Sequence, residues 1–266
     1  VLPYPLAEAA RWDLTELPGT DSLYEADGCL RALEDRFAAL YGAGRSLLSA
    51  GGATLCVQTM LALCGNGPVV CGRDIHTSAL NAMGLLGISP VWIPCAREAH
   101  GIPLPPSPDE ARTALRRQRE SGRAASALYV TSPNYYGVLA DINGLAAAAH
   151  ESGALLLVDN AHGAHLPFLP GGLHPLRRGA DICCDSLHKT LPALTGAALL
   201  HLRPGFPDME RAKVCMSWFG SSSPSYLILL SCDLLLSALE NGLPAALEEA
   251  AAHAAALRKR LGDWAL

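Results

Sequence analysis

The sequence predicts an α/β fold, with a mostly parallel sheet of about seven strands in a three-layer αβα sandwich. Between residues 46 and 202, short apolar runs alternate with helical segments, as in β-α units joined by right-handed crossovers. The apolar runs consist largely of Val, Leu, Ile and Ala without polar alternation, which is typical of strands covered by helices on both faces.

Each element follows from its local pattern. Strands are predicted over the apolar runs SLLSA (46–50), PVVCG (68–72), PVWIPC (90–95), ASALYVTSP (125–133), ALLLVDNAHG (154–163), ADICCDS (180–186) and GAALLHL (196–202). Helices are predicted over ATLCVQTMLALCG (53–65), HTSALNAMGLLG (76–87), PDEARTALRRQRES (108–121), DINGLAAAAHESG (141–153), PDMERAKVCMSWF (207–219), SPSYLILLSCDLLLSAL (223–239) and LPAALEEAAAHAAALRKRL (243–261). The stretch REAHGIPLPPSPDE (97–110) is polar and rich in proline.

Composition and charge exclude several classes of protein. Half of the 266 residues are hydrophobic and 17% are charged, which indicates a globular protein with a large core. The net charge is −5, no basic run suits nucleic acid or an anionic membrane, and no signal peptide is recognisable. The apolar run at 225–239 contains Asp233 and is shorter than the roughly 20 residues of a spanning helix. We expect a cytoplasmic protein with no nucleic-acid or membrane partner.

The nine cysteines are scattered, odd in number and without a CxxC pair. This pattern predicts reduced thiols in the core of a cytosolic protein. Zinc sites usually take paired ligands at short spacing, so no metal site is expected.

Polar residues follow five of the predicted strands. In such folds, ligands bind beyond the carboxyl ends of the strands. The five loops are residues 51–54, 73–76, 131–133, 159–162 and 185–189. We therefore expect them to meet at one site.

Two of these loops contain an acid and a lysine, Asp159 and Lys189. A buried ion pair, or an aspartate that caps the next helix, would explain them without a function. The functional interpretation is a pyridoxal phosphate site. Such a site needs a lysine for the Schiff base, a carboxylate for the pyridinium nitrogen, helix N-terminal amides for the phosphate and a flat group against the ring. Lys189, Asp159, the turn at 52–54 and His76 could supply these groups.

The motif DSLHKTLPALTG (185–196) resembles the cofactor attachment motif of a known family. Further blocks match in that family's order, namely DLTELPGTDSLYEADG, GGATLCVQTML, GRDIHTSALNAMGLLGISPVWI, TSPNYYGVLADI, LLVDNAHGAHLPF and SSSPSYLILLSCD. The chain resembles the major domain of the Orn/Lys/Arg decarboxylases. These are fold-type-I pyridoxal phosphate enzymes of the aspartate aminotransferase superfamily, with a pyridoxal phosphate-dependent transferase-like large domain.

The resemblance implies a role for each matching residue. Lys189 would form the Schiff base with pyridoxal 5'-phosphate, Asp159 would pair with the pyridine nitrogen, and His76 would stack on the ring. These three are the expected catalytic residues. The other expected cofactor-binding residues are Ala53, Thr54, Thr131, Ala161, His162, Ser186 and His188.

Within this second set, four residues would contact the phosphate: Ala53, Thr54, Ser186 and His188. Ala161 would lie under the ring, His162 near the Schiff base and Thr131 beside the ring. Ordinary structural roles remain open for three histidine and serine side chains, namely a helix N-cap for His76, a turn cap for Ser186 and a loop position for His188.

The resemblance implies a carboxy-lyase that converts lysine, ornithine or arginine into CO₂ and a di- or polyamine, as in polyamine biosynthesis. The substrate would displace Lys189 with its Cα–carboxylate bond perpendicular to the ring, and Lys189 or His76 would protonate Cα. The positively charged group at the end of the substrate's side chain, its distal cation, would need an acid. Judged only by their charge, the candidates are Glu16, Asp21 and Asp141. A homodimer or higher homo-oligomer is also implied.

The chain departs from the family at several positions. The family usually has Ser at Ala53, Lys at Thr77, Glu at Asn160 and Gln at Gly196. Another fold-type-I reaction, such as that of an aminotransferase or lyase, therefore stays open. So does a catalytically inactive or truncated regulatory homologue.

The expected organisation has three parts. Residues 1–45 would pack on the large domain, residues 46–240 would form the cofactor-binding large domain, and residues 241–266 would form a helical segment. Family members continue into a small C-terminal domain that we expect to be missing here. The first residue is Val, which suggests a fragment or a processed product.

Overall fold

The computed structural model describes residues 6–94, 98–99 and 101–262. Its strands are β1 (Arg45–Ser49), β2 (Val69–Cys71), β3 (Pro90–Trp92), β4 (Glu98–Ala99), β5 (Ile102–Pro103), β6 (Ala127–Thr131), β7 (Leu155–Asp159), β8 (Ile182–Ser186) and β9 (Ala198–Leu202). Seven of them form one sheet in the spatial order β1-β9-β8-β7-β6-β2-β3, and β4 pairs with β5 in a separate hairpin. The predicted number of strands is confirmed.

The sheet is parallel from β8 to β3 and antiparallel at its other edge. Strands β8, β7, β6, β2 and β3 run in the same direction, whereas β9 is antiparallel to both β8 and β1. Only residues 187–197 connect β8 to β9, and a parallel crossover needs a dozen or more residues. The chain therefore turns back, and the sheet is mostly parallel, as predicted.

The helices are α1 (Leu6–Ala9), α2 (Cys29–Tyr41), α3 (Gly52–Leu63), α4 (Thr77–Leu86), α5 (Pro108–Glu120), α6 (Ile142–Glu151), α7 (Leu187–Thr190), α8 (Met209–Ser217), α9 (Tyr226–Glu240) and α10 (Leu243–Leu261). Short 3₁₀ turns occupy Leu166–Phe168 and Pro175–Arg178.

Helices cover both faces of the sheet. Cys71 and Tyr129 belong to a buried cluster that includes residues of α3, α4 and α8. Their neighbours Val70 and Leu128 belong to a cluster with α5 and α6, because successive strand residues point to opposite faces. Helices α2 and α9 pack on the same side as that second cluster, against β1 and β9. The three-layer αβα arrangement is therefore confirmed.

Several elements differ from the sequence prediction. No helix was predicted before residue 46, yet α2 buries Leu30, Leu33, Phe37 and Tyr41, a helical spacing that the sequence contains. The β4–β5 hairpin lies in the proline-rich stretch to which no structure was assigned. The predicted third strand is shorter and ends at Trp92; its last residue, at position 95, lies outside the described residues.

Within the described ranges, no single helix is long and apolar enough to cross a membrane. Only α9 and α10 taken together reach such a length and composition, and the pair is bent by 76° at its junction.

Candidate active site

A cavity of about 510 Å³ opens beyond the carboxyl ends of the parallel strands. Its lining residues are Gly52, Ala53, Thr54, Val57, Asp74, Ile75, His76, Thr77, Ser78, Thr131, Tyr135, Asp159, Ala161, His162, Ser186, His188 and Lys189. All ten residues expected to bind the cofactor are among them. The five strand-end loops therefore meet as the sequence predicts, while the individual roles of these residues stay predictions.

Asp159 lies at the end of β7 and is almost completely buried. Tyr129 donates its hydroxyl to Oδ2 at 3.2 Å, and the amide of Ala161 donates to Oδ1 at 3.2 Å. Burial, followed by the charge of Asp159, raises the pKa of Tyr129 well above its ordinary value, so the phenol keeps the proton that it donates. A buried carboxylate held in this way can accept a further hydrogen bond from an N–H group of a ligand in the cavity.

Lys189 lies in the short helix α7, directly after β8. It forms no ion pair with Asp159 in the described structure, so the simple ion-pair explanation of these residues is wrong. Its Nζ lies 3.1 Å from Nε2 of His162. Lys189 lines the cavity and its side chain is exposed, so the cavity is open to solvent at this position.

His162 stands between Lys189 and an exposed aromatic side chain. Burial, followed by the positive charge of Lys189, lowers the pKa of His162. The ring of Tyr135 lies edge-on to the imidazole, with 5.9 Å between ring centroids. Nε2 of a neutral imidazole 3.1 Å from an amine can share a hydrogen bond with it, so His162 can orient Nζ of Lys189.

His76 combines a structural and a cavity-lining position. It is the N-cap of α4, where Nδ1 accepts a hydrogen bond from the Ser78 amide at 3.2 Å and lies 2.8 Å from the Ser78 hydroxyl. The N-cap alternative is therefore confirmed. Because the cap uses only Nδ1, the ring face remains able to cover a planar ligand in the cavity.

Another part of the cavity lining suits an anion. Helix α3 starts at Gly52, and no side chain caps its N-terminus. The amides of Ala53 and Thr54 lie in its first turn, where backbone N–H groups have no partner inside the helix. The Ser186 hydroxyl lies 3.3 Å from Nδ1 of His188, and the Gly196 amide donates to the same Nδ1 at 3.3 Å.

Two buried oxygens at the cavity have no hydrogen-bond partner among the described residues. They are Oγ1 of Thr131, the last residue of β6, and Oδ2 of Asp74, which follows the neighbouring strand β2. Burial raises the pKa of Asp74. Such oxygens are costly unless a ligand or a rearrangement satisfies them, which is consistent with a polar ligand at this wall.

These residues fit pyridoxal phosphate. The structure supplies an uncapped helix N-terminus for a phosphate, a buried carboxylate for the ring nitrogen and an amine beside an imidazole. Ala161 is 8% exposed, so a larger side chain would fill the floor of the cavity. The Thr131 hydroxyl, which has no hydrogen-bond partner in the described part of the chain, also lines the cavity.

Sequence reasoning gave no role to several lining residues, Asp74 and Tyr135 among them. Asp74 stood in a recognised loop but received no role, and Tyr135 was visible only inside the block TSPNYYG. Both residues line the cavity because of how the folded chain packs around it, and a sequence motif does not reveal such packing.

The acids suggested for the distal cation have other positions. Asp21 accepts hydrogen bonds from the amides of residues 22, 27, 28, 30 and 31. Asp141 caps α6, and Glu16 is exposed beside Thr15. None of these three acids lines the cavity.

Two departures from the family have local explanations. The side-chain amide of Asn160 donates to the buried carboxylate of Asp185 at 2.5 Å. A glutamate at position 160 would oppose that carboxylate with a second negative charge. Gly196 has φ +100°, and a Cβ there would lie 3.1 Å from the carbonyl oxygen of Ala50, so Gln would be strained at this backbone conformation.

Comparisons with known proteins agree with this geometry. A family model described as "Orn/Lys/Arg decarboxylase, major domain" matches residues 7–263. Protein YaaO of Bacillus subtilis (strain 168) is 35% identical over 229 residues, which are 84% of this chain and 46% of YaaO. An arginine decarboxylase of the same organism is 32% identical over 232 residues, 84% of this chain and 45% of that protein. The chain spans about half the length of the curated relatives it matches.

A solved structure shows the same fold. Lysine decarboxylase A from Pseudomonas aeruginosa superposes with a TM-score of 0.77 at 22% identity, covering 91% of this chain and 36% of that one. The resemblance seen in the sequence and the predicted fold class are both confirmed.

Proposed function

Because the chain belongs to the Orn/Lys/Arg decarboxylase family, whose cofactor is pyridoxal phosphate, we propose that it decarboxylates a basic amino acid at Lys189. The products would be CO₂ and a di- or polyamine. The observation that carries the proposal is the convergence of five strand-end loops on one cavity that holds Lys189, Asp159 and His76.

The chain's own side chains have distinct tasks in this proposal. Lys189 would hold the cofactor through Nζ, which can share a hydrogen bond with Nε2 of His162, 3.1 Å away. Asp159, held by Tyr129, would face the ring nitrogen and favour a proton on it. When bound, the cofactor supplies an electron sink for the electrons left on Cα after CO₂ departs.

Other residues orient and shield the reacting groups. The first-turn amides of α3, with Ser186 and His188, hold the phosphate. His76 would cover one face of the ring, and the small side chain of Ala161 would leave room under the other. Lys189 and His76 are the two residues that could hold the proton for Cα.

The distal cation of the substrate needs an acid. Of the described acids that line the cavity, Asp159 already has donors on both oxygens, whereas Asp74 has a buried oxygen without one. A guanidinium or ammonium group could satisfy Asp74 after the carboxyl rotates towards the cavity. Asp74 replaces the three acids suggested from the sequence as our candidate.

Assembly and location are further parts of the proposal. Tyr135, which lines the cavity, is strongly exposed, as are Tyr136 and Leu85, which favours coverage by a second copy in a homodimer or higher homo-oligomer. All eight described cysteines are free and seven of them are buried, which favours a reducing compartment such as the cytoplasm.

The test uses the fact that the chain contains only three lysines: Lys189, Lys213 and Lys259. Lys213 is buried against Glu34, and Lys259 is exposed on α10. The purified chain is incubated with pyridoxal phosphate, reduced with borohydride and digested for peptide mapping. We expect the pyridoxyl label on Lys189, its loss in K189R, and its retention in the control K259R.

Substrate screening follows, with lysine, ornithine and arginine offered separately and the amine and CO₂ both measured. A label on another lysine would refute the cofactor assignment. A correct label with no amine from any substrate would favour the inactive homologue. A correct label with transamination or elimination products would favour another fold-type-I reaction.

A further inference from the structure

A second cluster of ionisable side chains lies behind the cavity, on the far face of the sheet. His174, Asp185 and His201 are completely buried, and one donor atom from each lies within 4.8 Å of the other two. None of the three lines the cofactor cavity. We propose that these side chains bind a divalent transition-metal ion, with Zn²⁺ as the best match.

The buried charge of Asp185 has to be neutralised. A carboxylate without solvent is costly unless a cation or a proton compensates it. Asp185 accepts a hydrogen bond from Asn160 and faces the imidazoles of His174 and His201. A proton on one of these imidazoles, or a metal ion between the three side chains, would balance its charge.

The distances suit a metal ion, although the contact between His174 and Asp185 also has the length of a hydrogen bond. Oδ2 of Asp185 lies 3.1 Å from Nε2 of His174 and 3.5 Å from Nε2 of His201. Zinc forms bonds of about 2.0–2.2 Å to nitrogen and oxygen, so two ligand atoms of a tetrahedral zinc ion lie about 3.3 Å apart. The two measured distances lie just below and just above this value. A hydrogen bond between nitrogen and oxygen spans about 2.7–3.2 Å. The contact with His201 is longer, and its Nε2 has no hydrogen-bond partner in the part of the chain that the structure describes.

The surroundings orient two of the three ligands. Asn160 donates to Oδ1 of Asp185, which leaves Oδ2 for the ion. Nδ1 of His201 lies 2.7 Å from the Ser46 hydroxyl, and a proton shared there leaves the Nε2 lone pair available. Metal-binding histidines are usually held by such a contact at their other nitrogen. Nδ1 of His174 has no partner among the described residues. This is so whether Nε2 binds a proton or a metal ion, so Nδ1 does not distinguish the two cases.

Two imidazoles and a carboxylate suit borderline divalent ions such as Zn²⁺. The nearest fourth ligand is Cys183, whose Sγ lies 3.9 Å from Nε2 of His174. A side-chain rotation would complete the coordination, and a thiolate with the Asp185 carboxylate would neutralise the ion's charge. The three ligands come from a loop and two strands and lie far apart in the sequence. A search for paired ligands at short spacing, which led us to expect no metal site, could not find them.

The decisive experiment measures metal in the full chain, produced without an affinity tag in zinc-supplemented medium. We expect about one zinc ion per chain and a fall of about tenfold or more in H201Q. H253Q is the matched control, because His253 is exposed on α10, and it should keep the metal. Less than about a tenth of an equivalent in the wild-type chain would overturn the proposal.

A second measurement on the wild-type chain keeps the proposal testable if H201Q does not fold. The chain is refolded with Co²⁺ in place of zinc, and its visible spectrum is recorded. Intense d–d absorption of a four-coordinate ion supports the site. A spectrum identical to that of free Co²⁺, with an unfolding temperature that neither zinc nor a chelator changes, would assign the cluster to a proton-bearing His–Asp–His network.

Discussion

Replacing Lys213 by Met should destabilise the chain by about 3–5 kcal/mol, the usual cost of removing one partner of a buried ion pair. Lys213 in α8 is 5% exposed and donates to Oε1 of Glu34 in α2, which is fully buried. The amide of Leu48 donates to the same oxygen at 2.9 Å, and Oε2 has no partner among the described residues. Without Lys213, a buried carboxylate would keep only one backbone donor.

The destabilisation should depend on pH. Burial already raises the pKa of Glu34, opposed chiefly by Lys213, and K213M removes that opposition. A carboxyl whose folded pKa exceeds its unfolded value of about 4.3 binds protons more tightly when folded. The stability of K213M should therefore fall as the pH rises from that value through the raised pKa.

Urea unfolding followed by circular dichroism at pH 5 and pH 8 measures both effects. E34Q/K213M removes the charge as well as its partner and should recover about half of the loss or more. K259M is the control, since Lys259 is exposed, and should change stability by less than about 0.5 kcal/mol. A loss below about 1 kcal/mol in K213M, or a loss independent of pH, would refute the reasoning.

Three further predictions concern the site and its supports. G163A should cost about 1–3 kcal/mol, because a Cβ would lie 2.1 Å from Oδ1 of Asn160; an unchanged thermal midpoint would contradict this contact. Y135A should expose His162 and raise its pKa towards the ordinary value, since burial is the main cause of its lowering; an NMR titration of the imidazole would detect no shift if the ring did not shield it. S107A removes the capping box of α5 and should cost about 1 kcal/mol in urea unfolding, whereas an unchanged midpoint would mean that the cap contributes nothing.

The sequence was sufficient for the order of the elements and for the loops that form the cavity. Apolar runs such as the one that ends at Asp159 identify their strands, and parallel strands bring their carboxyl ends to one edge. The ten expected residues meet for this reason. The resemblance to the decarboxylases added candidate roles, which spacing could not supply.

Other features depend on contacts between distant segments. The direction of β9 follows from the short connection after β8, but its pairing with β1 joins residues 45–49 to residues 198–202. The exposure of Lys189, directly after the buried strand β8, is likewise a feature of the folded chain. Asp21 and Asp141 carry the charge expected of substrate-binding acids, but only the folded chain shows that they bind backbone amides instead.

By itself, the sequence determined the α/β class, the strand-end loops and the family, because these follow from local periodicity and contiguous motifs. Only the tertiary structure brought Asp74 and Tyr135 to the cavity, paired Lys213 with Glu34, and gathered His174, Asp185 and His201 behind the sheet. These residues lie far apart in the chain, and side-chain packing across layers decides which of them meet.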